Sequence, residues 1–261
     1  MTPMQKNATS GICFGGLPFL AMALLGIGFA WPAAASSSHA QSRTRMNAAE
    51  AASTAPAVTA TGIPLDTPWK VKIYELAHSN FLHPAWGWQH SERDYRMAVR
   101  LAKDDHLKID EDALFAAAFL HDMAAFRPCE KKIPHGKCAA QQSPAILKKV
   151  GFPMQKIAIV QQAEIGHMFY SDPGKDPTAI VLHDADSLDF LGDIGATRMI
   201  SLTGAKATSF APAIKTLRKF LKGIPPRLIT RAARRIGKKR AAELETFIET
   251  LQKETYDGRA M

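Results

Sequence analysis

Beyond its first sixty or so residues the sequence predicts an all-α fold, a bundle of helices, and three observations predict it. From Asp66 onward apolar residues recur at spacings of three and four, the period of one helical face. Alternating polar and apolar runs suited to a sheet are scarce. Breaks rich in Gly and Pro cut the chain into pieces of helical length. Hydrophobic residues make up 46% of the 261 and charged residues 22%, a balance that supports a sizeable core and excludes global disorder.

The elements follow in order. Trp69, Ile73, Tyr74, Leu76 and Ala77 make one apolar face, predicting a helix over 66–79. The segment PAWGWQH, 84–90, is a turn leading into a second helix, 90–105, with Tyr95, Ala98, Val99, Leu101 and Ala102 as its buried stripe. A third helix runs from Glu111 to about Ala125. It is apolar on nearly every side, the mark of a central helix. Residues 127–138 are a polar loop, and helices follow at 139–150, 154–168 and 177–191, the last two separated by the turn-forming SDPGKDP. Two more cover 211–222 and 228–256, divided by Gly223 and Pro225-Pro226, and no internal repeat is visible.

The N-terminal region is a different kind of chain. A short head bearing Lys6 precedes an apolar stretch from Ile12 to Trp31, followed by small residues with cleavage-like sites after Ala35 and Ala40. This is the layout of a secretory signal peptide over 1–40; an uncleaved N-terminal anchor is the rival reading. Either places the rest outside the cytoplasm, in the periplasm or tethered to a membrane. Residues 41–62, rich in Ala, Ser and Thr, are expected to be a flexible linker, 63–256 the folded domain and 257–261 a tail. Cys13 belongs to the leader. Cys129 and Cys138 bracket the loop EKKIPHGK, and in an oxidising compartment a disulfide between them would contribute roughly 2–3 kcal/mol.

Chemistry concentrates in three places. His121-Asp122 closes the apolar central helix, where a buried ionised Asp is costly unless paired or bound to a cation. His90 opens the preceding helix, and Asp184-Ala185-Asp186-Ser187-Leu188-Asp189 lies in an apolar-flanked one. Two His and two Asp form a mixed nitrogen and oxygen set suited to Mn, Fe, Zn, Ni, Co or Mg rather than to a structural thiolate zinc site. A single histidine is more often a hydrogen-bonded core residue or a helix cap. Two polar groups intruding on one apolar helix weigh against that simpler account.

The order H…HD…D, in the contexts QHSERDYRMA, ALFAAAFLHDMA and VLHDADSLDFLGDIGATR, resembles the HD superfamily of metal-dependent phosphohydrolases over residues 64–255. The last stretch is similar to the DADxLDxLG segment of small HD hydrolases. The resemblance implies an HD-domain helical bundle with one divalent metal ion, or two, and metal ligands His90, His121, Asp122 and Asp186. Asp186 is preferred over Asp184, because two positions along a helix turn a side chain by about 200°. Asp122 or Asp184 is the expected proton relay. His135, in an HG element, and His167 match places that in some relatives hold a second metal; otherwise they line a phosphate site. Asp189 is expected to orient a ligand or to pair with Arg198, and His183 to stand behind the ligands. Arg93, Lys131, Lys215 and Arg240 are the candidate substrate-binding cations.

The formal charge is +9, and Ile194 to Ala242 holds 13 basic residues with no Asp or Glu. Such a stripe suits an anionic small-molecule substrate or contact with a membrane surface. Sequence-specific nucleic-acid binding is not expected, since no docking motif or stacking platform accompanies the charge. The leading function is hydrolysis of a phosphomonoester or phosphoanhydride, with a nucleotide as one substrate class. Two others stay open. IPLDTPWKVKIYELAH…HPAWGWQHS also resembles the opening of cyanamide-hydratase-like HD proteins, which hydrate a small nitrile. An exported, non-catalytic metal- or anion-binding protein is the third reading. Oligomeric state is not legible.

Overall fold

A computed structural model describes residues 58–130, 133–256 and 259–260, all within one compact unit, Ser53–Met261. The expected signal or anchor and most of the expected linker lie outside the described residues, as does Lys131. Residues 58–62, given to the linker by composition, are part of the folded unit. Thr59 is buried, the Ala60 amide donates to the Tyr74 hydroxyl, and Val58 makes an isolated bridge with Pro64.

Among the described residues the regular structure is helical: α1 Pro68–Asn80, α2 Trp88–Asp104, α3 Glu111–Leu120, α4 His135–Val150, α5 Ile157–Gly166, α6 Pro177–Asp189, α7 Gly192–Gly204, α8 Phe210–Gly223 and α9 Arg231–Glu254. The starts are set by local chemistry. Thr67 caps α1 by accepting from Lys70 N, and Pro68 follows where its missing N–H costs nothing. Asp110 caps α3, Asp176 followed by Pro177 opens α6, and Thr230 caps α9. Pro134 precedes α4, which begins at His135, four residues before the apolar pattern suggests.

Two departures from the sequence pattern matter for the site. The central helix, α3, ends at Leu120 rather than near Ala125, and Met123–Ala125 is a separate 3-10 turn. The apolar run Met123-Ala124-Ala125 hides this break. In addition the sequence pattern places no helix between 191 and 211, where α7 lies. It is pinned by Arg198, which is buried and bonded to Asp189, and whose guanidinium lies 4.1 Å over the Phe190 ring. Gly192 opens α7 at φ +69°, a left-handed conformation that lets the chain turn directly out of α6.

Residues Ala113 to Leu120 of α3 are all buried. Around them α2 packs along α6 and α3, α5 packs on α3, α4 and α6, and α7 and α9 pack on α6 with α8 against both of them. Cys129 and Cys138 form a disulfide with Cα atoms 5.8 Å apart, closing the loop that leads into α4. Among the described residues no helix is long and apolar enough to cross a membrane.

Candidate metal centre

The candidate centre lies where α2, the end of α3, and α6 meet. Ending α3 at Leu120 leaves His121 as the C-cap and swings Asp122 out of helical register, so both reach one space. His90 Nε2 lies 3.3 Å from His121 Nε2, 3.2 Å from Asp186 Oδ1 and 3.6 Å from Asp122 Oδ2. Asp122 Oδ2 is 3.5 Å from His121 Nε2. Bonds of about 2.1 Å to a common cation would put neighbouring donors about 3.0–3.4 Å apart, close to this spacing. Asp186 Oδ2 is buried with no hydrogen-bond donor, the state of a carboxylate prepared for a cation. His90, Asp94, His121 and Asp186 together form a buried group able to hold an ion.

Each histidine is oriented from behind. His90 Nδ1 lies 2.8 Å from Asp189 Oδ2, and His121 Nδ1 is 2.9 Å from the Ala118 carbonyl. Carboxylate and carbonyl oxygens only accept, so each Nδ1 carries a proton and each Nε2 faces inward, a lone pair once the ring is neutral. Burial opposes charge on His121, yet Asp122, Asp94 and Asp186 outweigh it and push its pKa up to about 10. Burial likewise opposes charge on Asp122, and His121 and His167 hold its carboxyl well below the ordinary range. The cluster thus favours cations strongly.

A second group adjoins the first. His167, fully buried, has Nδ1 2.6 Å from the Glu164 carbonyl and Nε2 2.9 Å from His135 Nε2. Asp122 Oδ1 lies 3.5 Å from His135 Nε2 and 3.7 Å from His167 Nε2. Thus one oxygen of Asp122 faces His90 and His121 while the other faces His135 and His167. His121, Asp122 and His167 form a further set able to hold an ion. Gly136 makes this approach feasible, since a Cβ there would sit 2.5 Å from the Glu164 carbonyl oxygen.

Other candidates fall elsewhere. Asp184 is corrected: its carboxylate accepts from Ile229 N and Thr230 N at the start of α9 and contacts His183 Nδ1, so it anchors a helix rather than relaying a proton. His183 is correspondingly turned to Asp184 and not to the ligands. Asp189 Oδ2 lies 2.8 Å from His90 Nδ1 and 3.0 Å from an Arg198 terminal nitrogen. Arg93 is held by Asp189 through Nε and a terminal nitrogen and lines the cavity beside His90. Arg240 ties α9 to the Leu188 carbonyl, and Lys215 is exposed on α8, whose main packing partners are α7 and α9.

The sequence reading missed two residues. Asp94 is fully buried beside His90, one helical turn on; the H-x-x-x-D spacing was its only signal. His83, the residue before the turn segment, lines a cavity of about 300 Å³ together with Pro84, Trp88, His90 and Arg93. Its Nδ1 accepts from the Ala85 and Trp86 amides, leaving the proton on Nε2, and burial lowers its pKa.

The HD domain family model matches residues 87–191, the stretch that spans both groups. Solved structures share the fold. A protein of Lactobacillus plantarum is 23% identical with a TM-score of 0.56, covering 71% of this chain and 96% of its own. An HD-superfamily hydrolase of Bacillus thuringiensis is 24% identical with a TM-score of 0.51, covering 71% and 97%. Bacillus subtilis YpgQ, solved in complex with ADP, is 20% identical with a TM-score of 0.52, again covering 71% and 97%. No curated protein matches the chain. The HD domain family model thus matches the stretch that holds both groups, and the all-helical fold is shared with solved HD-superfamily hydrolases.

Proposed function

We propose that the protein is a metal-dependent phosphohydrolase acting on an anionic small molecule, with nucleotides as the substrate class to test first. The observation that carries this reading is Asp122, whose two oxygens face two separate sets of imidazole nitrogens. A carboxylate placed in this way can hold two cations side by side. His90, His121, Asp122 and Asp186 would hold the first, and Asp122, His135 and His167 the second. When bound, such ions lower the pKa of water toward neutrality and polarise a phosphoryl oxygen.

The chain supplies the rest. Asp189, Ala118 O and Glu164 O fix the tautomers that turn three Nε2 atoms inward. The α2–α6 contact excludes water from the far side of the site, where Asp94, Asp186 and Asp189 are buried. With only the first cation bound, His135, the most exposed of the clustered histidines, can instead donate to a phosphoryl oxygen or a leaving group. The His83 cavity adjoins His90 and offers an N–H donor for a substrate's polar end. The ADP carried by the similar YpgQ fold supports a nucleotide. The Cys129–Cys138 bridge supports an oxidising compartment, in keeping with the expected export.

Purified protein is expected to release phosphate from at least one member of a panel of nucleotides and phosphate esters in Mn2+, Co2+, Ni2+ or Mg2+. His121→Ala should reduce this at least a hundredfold. Inactivity on the whole panel, with metal demonstrably bound, sinks the phosphohydrolase reading; turnover of a small nitrile instead would favour the hydratase alternative.

A further inference from the structure

The site contains a carboxylate that the H…HD…D pattern does not include. Asp94 is fully buried on α2, and neither of its oxygens has a hydrogen-bond donor. Its Oδ2 lies 3.1 Å from His90 Nε2 and 3.7 Å from His121 Nε2. With the Nδ1 protons committed to Asp189 and to the Ala118 carbonyl, those two nitrogens are the faces that a neutral ring offers to a ligand. Asp94 is therefore on the ligand side of both rings and not behind them.

Two lone pairs and a carboxylate held this close repel one another unless a positive charge lies among them. Protons on both rings would set Nε2–H against Nε2–H across 3.3 Å, and a proton on Asp94 can satisfy one nitrogen, not two. It would still leave Asp186 Oδ1 facing the same His90 nitrogen at 3.2 Å. A divalent cation satisfies all of them together. The uncommitted oxygens of Asp94 and Asp186 point to the same conclusion, since a buried carboxylate without donors is strongly destabilising in its own right.

We propose that Asp94 is an additional ligand of the first cation, completing a set of two imidazole nitrogens and three carboxylate oxygens with His90, His121, Asp122 and Asp186. This rests on reading the cluster as a metal centre. Five protein donors exceed the four of a closed tetrahedral zinc site, and an oxygen-rich set suits a six-coordinate ion such as Mn2+.

The test is a Mn2+ titration followed by electron paramagnetic resonance, on the wild type, Asp94→Asn and Asp186→Asn, with far-ultraviolet circular dichroism to verify folding. Asp94→Asn should weaken Mn2+ binding at least tenfold while keeping wild-type helicity. In chelator it should melt at or above the wild-type temperature, because a buried unpaired charge is gone. If Asp94→Asn does not fold, Asp94→Val serves in the same titration. Mn2+ affinity within threefold of wild type in the folded Asp94 variant, while Asp186→Asn loses binding, overturns this inference and leaves the metal centre standing. Failure of the wild type to bind Mn2+ overturns both.

Discussion

Asp189 accepts from His90 Nδ1, from Arg93 and from Arg198 at once. Burial works against its charge, but the Arg198 guanidinium and the bonds from His90 and Arg93 outweigh it, holding the carboxyl far below its ordinary range. The consequence reaches the metal site, because this bond alone decides which nitrogen of His90 is a lone pair. Asp189→Asn would leave a buried Arg198 without its counter-charge, costing about 3–5 kcal/mol. It would also loosen His90, and partners of this kind are worth about 10–100-fold in metal affinity. Urea unfolding and a Mn2+ titration measure the two effects; unchanged affinity in a folded variant would remove Asp189 from the orienting role. At this scale the sequence was legible where polar residues interrupt apolar context, as at His121-Asp122 and Asp186. Asp94 was not legible. QHSERDYR is polar almost throughout, and only the packing of α2 on α6 buries one of its carboxylates in preference to the others.

Helices α4, α5, α6 and α9 show how elements place these groups. Asp184 and Asp186 lie on different faces of α6, one turned to the start of α9 and one to the metal site. Asp184→Ala leaves two backbone N–H groups near the N-terminus of α9 without their acceptor, at about 1–3 kcal/mol for a buried donor. Its Mn2+ affinity should nonetheless stay within threefold of wild type, as calorimetric titration and chemical unfolding of the variant can establish. A large loss of affinity would return Asp184 to the site. The α4–α5 crossing holds Glu164, which accepts from the Ser143 hydroxyl at 2.7 Å while its other oxygen has no donor. Burial pushes its pKa up to about 8, the Ser143 bond opposing only weakly. The unfolded chain releases this proton near pH 4.5, and the folded one keeps it until about 8. The contribution of Glu164 to stability is therefore complete below about pH 4.5 and drains away as pH rises to about 8. Glu164→Gln should flatten the fall in unfolding free energy between pH 5 and 8, measured in chelator; parallel curves for the two proteins would contradict this. Most helices were visible in the period of their apolar residues. The exceptions have physical causes: α7 is held by a buried arginine rather than by propensity, and the break after Leu120 lies inside an unbroken apolar run.

At the scale of the molecule, one bundle buries His90, Asp94, His121, His167, Asp186 and Asp189 within a few ångströms of one another, alongside Arg198. Desolvating so many charged groups is expensive, and apolar side chains of similar volume would pack the same space at lower cost. The arrangement makes thermodynamic sense when a cation is the missing partner. Its donors come from α2, the end of α3, and α6, with His135 of α4 and the residue ending α5 beside them. Binding then links segments distant in the chain, and metal affinity becomes folding stability. An ion that binds only the folded state contributes about 2.7 kcal/mol at a free concentration of 100 times its Kd. For a unit of about 200 residues, that corresponds to a rise in Tm of about 5–10 °C. Differential scanning calorimetry of chelator-treated protein, repeated across a Mn2+ series, should show Tm climbing with the logarithm of ion concentration above Kd. Mg2+ should act at higher concentrations, since it gives up its water less readily. A Tm indifferent to Mn2+, Mg2+, Ni2+ and Zn2+ would mean that these buried charges are neutralised by protons, and the bundle would then be a scaffold without its ion.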